Sequence, residues 1–244
     1  MKRRSRYEGT RMFHLVTRTW NPIAIYPCYH QCVYCWSQKL IRRLRIEKYL
    51  STGGKPVLVE KELRRRFDPG DFVFVDDMCD MFADIVPTYM IAAVLDHIRS
   101  FPKTTFLLLT KNPRRYWEFR DRLKDMDNVV AGATIETDND DLYTRHRISR
   151  APPPSKRIGW MHTISRVVPR TMVSIEPVLD FTNPRSFAEK IAEIQPEFVY
   201  IGYDNYNNRL PEPPLDKTLE LVDVLRQHGI TVYEKTIRRA WYET

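Results

Sequence analysis

Residues 72–111 read FVFVDDMCDMFADIVPTYMIAAVLDHIRSFPKTTFLLLTK. The first five form a compact apolar run of strand type, and residues 104–110 form a second. Between them, residues 87–100 place apolar side chains at helical spacing behind a proline suited to a first helical turn. Strand, helix and strand in that order predict two parallel strands joined by a right-handed crossover. The alternation continues on both sides. Apolar runs at 128–136, 171–177, 198–203 and 230–235 read as further strands, and IAIYP at 23–27 reads as the first. Residues 113–124, 184–194 and 215–228 read as intervening helices, the last followed by Gly229 where a C-cap glycine belongs. Two stretches lack the pattern. Residues 137–160 read as a helix start near Asp138–Asp141 and then an extended loop at 151–154, and residues 204–214 read as a loop. Such alternation predicts an α/β fold whose parallel sheet can curl into a barrel.

The chain has 244 residues, 43% of them apolar and 29% charged. That length suits one domain with a sizeable core. The expectation is a single domain over residues 1–244, with a basic extension over about 1–18 and a core over about 19–235. No apolar run is long enough to cross a bilayer. The basic start, MKRRSRYEGTR, leads into no signal-type apolar stretch, so a cytoplasmic protein is expected. Net charge is +8, with arginine runs at 42–43, 64–66 and 114–115. A basic balance favours polyanionic partners such as DNA or RNA, and a solvated arginine-rich surface is the plainer reading.

Three of the four cysteines fall within Cys28-Tyr29-His30-Gln31-Cys32-Val33-Tyr34-Cys35, and the fourth is Cys79. Clustering of this kind suggests metal or redox chemistry rather than a disulfide framework. Thiolates suit iron–sulfur clusters and zinc. Three local cysteines on a four-iron cubane leave one iron open to a ligand. Zinc with His30 or Cys79 as fourth ligand is the alternative, although no second cysteine pair follows.

The spacing C-x3-C-x-aromatic-C, with Tyr34 as the aromatic, resembles the signature of the radical SAM superfamily. That resemblance implies a partial (β/α)6 TIM-like barrel, a [4Fe–4S] cluster on Cys28, Cys32 and Cys35, and S-adenosylmethionine (SAM) as the cofactor cleaved to a 5′-deoxyadenosyl radical. It also implies a small electron donor of flavodoxin or ferredoxin type. TWNPIAIYPCYHQCVYCW, FVDDMCDMFADIVP, LLLTKNPRR, VAGATIET, MVSIEPVLDF and ITVYEK together resemble a phage-associated radical SAM family of unknown function over about residues 19–235. FVDDMCDMFADIV, followed by a helix and then Thr-Lys, is locally similar to spore photoproduct lyase, in which a cysteine donates a hydrogen atom.

Candidate site residues follow at the C-terminal ends of the expected strands, where βα barrels build their chemistry. Cys79 is the catalytic candidate, as hydrogen donor or radical relay; a buried small hydrophobe is the plainer reading. The resemblance implies SAM contacts for Tyr34, for an Asp76 or Asp77 carboxylate toward the ammonium, and for Lys111 toward the carboxylate. Thr134 and Glu136 end the fourth strand, and a carboxylate there can accept from both ribose hydroxyls. Ser174 and Glu176 end the next, facing substrate or adenosyl group, with a structural ion pair as the plainer reading of Glu176. Trp20, Tyr26, Tyr29 and Trp36 flank the cysteine loop and can stack on a base or shield a cluster. The expected reaction is modification or lesion repair of nucleic acid. A peptide or small metabolite is the rival substrate, and a non-catalytic nucleic-acid-binding protein with a structural metal is the rival class.

Overall fold

The computed structural model describes residues 13–243. Among them, seven parallel strands form one sheet: β1 (Arg18–Trp20), β4 (Phe72–Val75), β5 (Thr105–Thr110), β6 (Val129–Thr134), β7 (Thr171–Ile175), β8 (Phe198–Ile201) and β9 (Thr231–Glu234). Their spatial order is their chain order, and every neighbouring pair is parallel. The fold class is the one expected, with strands set one after another as in a partial barrel. IAIYP is not the first strand of this sheet. Only Ile23–Ala24 (β2) pairs, antiparallel to Val57–Leu58 (β3), in a separate two-stranded sheet. Pro22 and Pro27 bracket the segment and lack the N–H a ladder needs. The shorter Arg18–Trp20 takes the place beside β4.

The helices are α1 (Trp36–Leu44), α2 (Glu47–Leu50), α3 (Thr88–Arg99), α4 (Arg120–Leu123), α5 (Asp140–Arg145), α6 (Pro154–Ile164), α7 (Pro184–Ala192) and α8 (Leu215–Gln227). In α3, Met90, Ile91, Val94, Leu95 and Ile98 are buried at i, i+1, i+4, i+5 and i+8, the stripe that faces a sheet. Asn183 caps α7 by accepting from the Arg185 and Ser186 amides, and Gly229 ends α8 at φ +78. The helix expected over 113–124 is a 3-10 helix over Pro113–Phe119 followed by α4. Pro113, Tyr116 and Phe119 are buried at intervals of three, the period that a 3-10 turn places on one edge. The loop expected at 151–154 ends in α6: Pro154 is its first residue, not the end of a loop.

Strand residues alternate between two buried faces. Val73, Val75, Phe106, Leu108, Val129, Ala131, Val173, Ile175, Val199 and Ile201 pack in the larger core with the helices. Phe74, Leu107, Val130, Met172, Phe198 and Tyr200 fill the other, inner face. Phe13 and Val16 join that inner cluster, so the packed core begins before residue 19. Residues 1–12 of the expected basic extension lie outside the described part.

Candidate active site at the strand C-termini

The inner face continues by its period of two past the ends of the strands. Phe74 leads to Asp76, Leu109 to Lys111, Val130 to Thr134 and Glu136, Met172 to Ser174 and Glu176, and Tyr233 to Lys235. Register levels them, since Thr134 pairs with Ser174, Ser174 with Tyr200, and Tyr200 with Tyr233. A cavity of about 1280 Å³ opens here, lined by Cys28, Cys32, Cys35, Tyr34, Asp76, Asp77, Cys79, Lys111, Thr134, Ser174 and Glu176. Ten of the expected site residues and the aromatic of the cysteine motif thus meet on one surface.

The cysteine loop is a run of tight turns. The Gln31 amide donates to the Cys28 carbonyl and the Cys35 amide to the Cys32 carbonyl. Its flanks are tied down by the Val33 amide on the Ile148 carbonyl and the Arg150 amide on the His30 carbonyl. All three thiols are free and partly exposed. Burial, with Cys32 adding to it, pushes the Cys28 thiol up to about 12. Burial raises Cys32 too, opposed by Lys111. A soft metal centre binding here must displace those protons.

His30, inside the loop, is 2% exposed, and its Nε2 lies 2.8 Å from Asp80 Oδ2. Asp80 also accepts from Thr110 Oγ1, the Lys111 amide and the Phe82 amide. Burial raises the Asp80 carboxyl, but its bond to His30, together with the imidazole charge and these donors, holds it below the usual range. Zinc was the alternative at this loop, with His30 or Cys79 as its fourth ligand. His30 is held by Asp80, and the Cys79 thiol donates to the Ile23 carbonyl at 3.3 Å. Among the described residues no three His, Cys, Asp or Glu side chains converge on a point for one metal ion, as tetrahedral zinc requires.

Glu136, expected at the ribose, stands behind the cavity wall. It does not line the cavity, is fully buried, and both its oxygens are committed. Oε2 accepts from Arg157 Nη1 at 2.6 Å, while Oε1 accepts from the Tyr34 hydroxyl and lies 3.4 Å from Lys111 Nζ. Burial raises its carboxyl, but Arg157, Lys111 and Tyr34 outweigh burial and pull it down to about 2. Glu136 thus holds Tyr34 and Lys111 in place behind the wall, and the Lys111 ammonium also sits over the Tyr34 ring at 5.3 Å.

Asp76 sits at φ +52, in the left-handed region that aspartate tolerates. Its Oδ1 accepts from the Ile23 amide, and Oδ2 is buried with no partner in the protein. Burial pushes its carboxyl well above the usual range. Asp77 accepts from Asn21 Nδ2 at 2.7 Å. Burial pushes the Cys79 thiol well up, with Asp76 adding to it, so the S–H is kept at neutral pH. Glu176 pairs with Lys235 at 2.7 Å on the cavity wall, and burial raises its carboxyl against that pull. Arg157, Lys235 and the His30–Asp80 pair were not found from the sequence. The starting proline of α6 was the available signal for Arg157; Lys235 ends a strand that was read correctly.

The donor set fits a [4Fe–4S] cluster: three free thiols on one loop, soft ligands, facing a cavity with polar atoms still to be satisfied. Residues 12–182 match the model of a protein family of unknown function, DUF5131. The chain belongs to the DUF5131 family. No curated protein sequence matches it. The DUF5131 chain shares its fold with radical SAM enzymes of solved structure. Streptococcus suis SuiB bound to S-adenosylmethionine is 10% identical, with TM-score 0.53 over 90% of this chain and 46% of SuiB. A spore photoproduct lyase mutant is 11% identical, with TM-score 0.56 over 89% of this chain and 76% of the lyase. The radical SAM enzyme HemN, coproporphyrinogen III oxidase from Escherichia coli, is 13% identical, with TM-score 0.51 over 87% and 52%. This chain spans about half the length of the SuiB and HemN structures. Among the described residues no helix is long and apolar enough to cross a membrane.

Proposed function

We propose that this protein is a radical SAM enzyme, with a [4Fe–4S] cluster on Cys28, Cys32 and Cys35 and SAM in the adjoining cavity. The observation that carries this reading is the meeting of three free thiols of one loop with the polar ends of five parallel strands on a single cavity wall. When bound, the cluster supplies the electron that breaks the sulfonium bond of SAM and releases a 5′-deoxyadenosyl radical, with a flavodoxin- or ferredoxin-type donor as its source. The protein supplies position and a dry surround.

The residues divide the remaining work. Lys111, held by Glu136, offers an ammonium to a carboxylate, and Asp77 or the unpartnered oxygen of Asp76 offers an acceptor to an ammonium. Tyr34, fixed by Glu136, offers its ring to an adenine, and Thr134 and Ser174 present hydroxyls on the wall. Cys79 faces the same space with its hydrogen retained, so it can give that atom to a carbon radical on the substrate. The cavity exceeds the roughly 300–1,000 Å³ that one drug-sized ligand occupies, which leaves room for a substrate beside the cofactor.

The test is anaerobic reconstitution followed by SAM and dithionite, with 5′-deoxyadenosine quantified. Wild type should form it, and the Cys28→Ala/Cys32→Ala/Cys35→Ala variant should not. A protein with full iron and sulfide content that forms none, with candidate substrates added, would overturn the reading.

A further inference from the structure

The arginines of this protein fall into two groups. Many are neutralised: Arg18 by Asp68, Arg114 by Asp84, Arg122 by Asp96, Arg170 by Glu197 and Arg226 by Glu234. Beside the cysteine loop the pattern changes. Arg43, Arg45, Arg145, Arg147, Arg150 and Arg209 are all exposed. Among the described residues none of these six has a carboxylate within ion-pair distance.

Three segments carry them to one place. Arg43 and Arg45 end the helix that leaves the cysteine loop, and Arg43 lines the cavity. Arg145, Arg147 and Arg150 lie on the turn whose backbone is bonded to Val33 and His30 of that loop. Arg209 precedes Leu210, which packs with Ile148 and Tyr34 in one small cluster. Lys39 of α1 bonds to Asn208 at 2.6 Å, which closes the ring from the other side. The cations therefore lie on segments packed around the cysteine loop; of the six, Arg43 lines the cavity itself, as does exposed Tyr206, and exposed Tyr29 stands on the loop.

A second observation points the same way. Arg45, Arg147 and Arg209 have φ of +47, +48 and +49. Backbone in that region favours glycine or asparagine, and arginine there is strained. Three such positions on segments around the cysteine loop carry a cation where a smaller residue would relieve the chain. Unpaired like charges set close together also repel unless an anion bridges them.

We propose that this rim binds an unpaired strand of nucleic acid, with phosphates on the arginines and a base turned into the cavity past the aromatics. Planar guanidinium groups match phosphate oxygens, and tyrosine rings accept stacked bases of any sequence. A strand supplies regularly spaced phosphates to a ring of separate cations, which a single small anion cannot. For catalysis the inference rests on the radical SAM reading; for binding it stands alone.

The experiment is fluorescence anisotropy of a labelled single strand of about 16 nucleotides, titrated with cluster-loaded protein across a salt series. The Arg43→Glu/Arg45→Glu and Arg145→Glu/Arg147→Glu variants should each bind at least about tenfold more weakly. Each should flatten the slope of log affinity against log salt by about 1.4, or 0.7 for each phosphate no longer neutralised. The Lys103→Glu/Arg166→Glu variant makes the same change in net charge just beyond the C-termini of α3 and α6, at the opposite end of the sheet. It should stay within about twofold of wild type, because charges beyond a Debye length are screened. Circular dichroism confirms that each variant is folded. Equal weakening in the control, a salt-independent affinity, or tighter binding of the matching duplex than of the single strand overturns the proposal. Strand binding without 5′-deoxyadenosine formation then sinks the chemistry alone, and 5′-deoxyadenosine without strand binding sinks this inference alone.

Discussion

Replacing Glu136 by Gln keeps the size of the side chain and removes its charge. Arg157 is fully buried, and Glu136 is its only carboxylate partner among the described residues. Two routes give the cost. The Glu136 carboxyl is held at about 2 against 4.5 for the free group, and at about 1.4 kcal/mol for each pKa unit this amounts to about 3 kcal/mol. Breaking a buried pair by removing one partner costs about 3–5 kcal/mol in general. The pH dependence separates this pair from generic packing. A depressed folded-state value contributes stability that is complete above about 4.5 and is lost as pH falls toward about 2. Arg157 is raised and stays charged throughout that window, so it adds no titration there. Urea unfolding of wild type and E136Q should therefore differ by about 3 kcal/mol at pH 7, with about 1 kcal/mol of that gap gone by about pH 3.5. A gap below about 1 kcal/mol at neutral pH, or one that does not shrink with acid, would refute the reasoning.

Gly202→Ala would set a Cβ 3.1 Å from Lys235 Cβ and 3.2 Å from the Thr236 amide nitrogen. Overpacking of this kind costs about 1–3 kcal/mol, visible as a lower melting temperature, and it should pry Lys235 from Glu176. Asp80→Asn replaces one carboxylate oxygen by an NH2 group that cannot accept from the donors at that point, so it should lower stability by about 2 kcal/mol. It should also reduce iron bound per chain on reconstitution, because His30 would lose its hold inside the cysteine loop. Cys79→Ala should leave 5′-deoxyadenosine formation unchanged and abolish return of a solvent-exchangeable deuterium to substrate; unchanged deuterium return would remove Cys79 from the chemistry.

What the sequence shows follows from local periodicity. The apolar runs of β4 to β9 were legible because buried parallel strands are continuous in hydrophobic residues and their helices are amphipathic. The cysteine loop was legible because its spacing is local. IAIYP misled because its composition suits a strand while its flanking prolines stop the ladder. Residues 151–154 misled in the opposite way, since three prolines suggest a loop whereas the last of them starts α6. Arg157 was invisible for a related reason. An arginine in a polar stretch is solvated by default, and burial comes only when a carboxylate distant in sequence, here Glu136, meets it.

The Glu176–Lys235 pair shows where local reading stops. Both positions end recognisable strands, yet nothing within either strand names the other. Register does: Ser174, Tyr200 and Tyr233 lie side by side on β7, β8 and β9. Two residues further on, the inner face brings Glu176, Gly202 and Lys235 level. Strand neighbours are about 4.8 Å apart, so residues two strands apart stand close to 10 Å from each other. A carboxylate and an ammonium meet across that span only if the residue between them has no side chain, which is why a glycine occupies position 202. The charge on the cavity wall is thus set by three residues on three strands. A change at the uncharged middle one should alter the site as surely as a change at either ion.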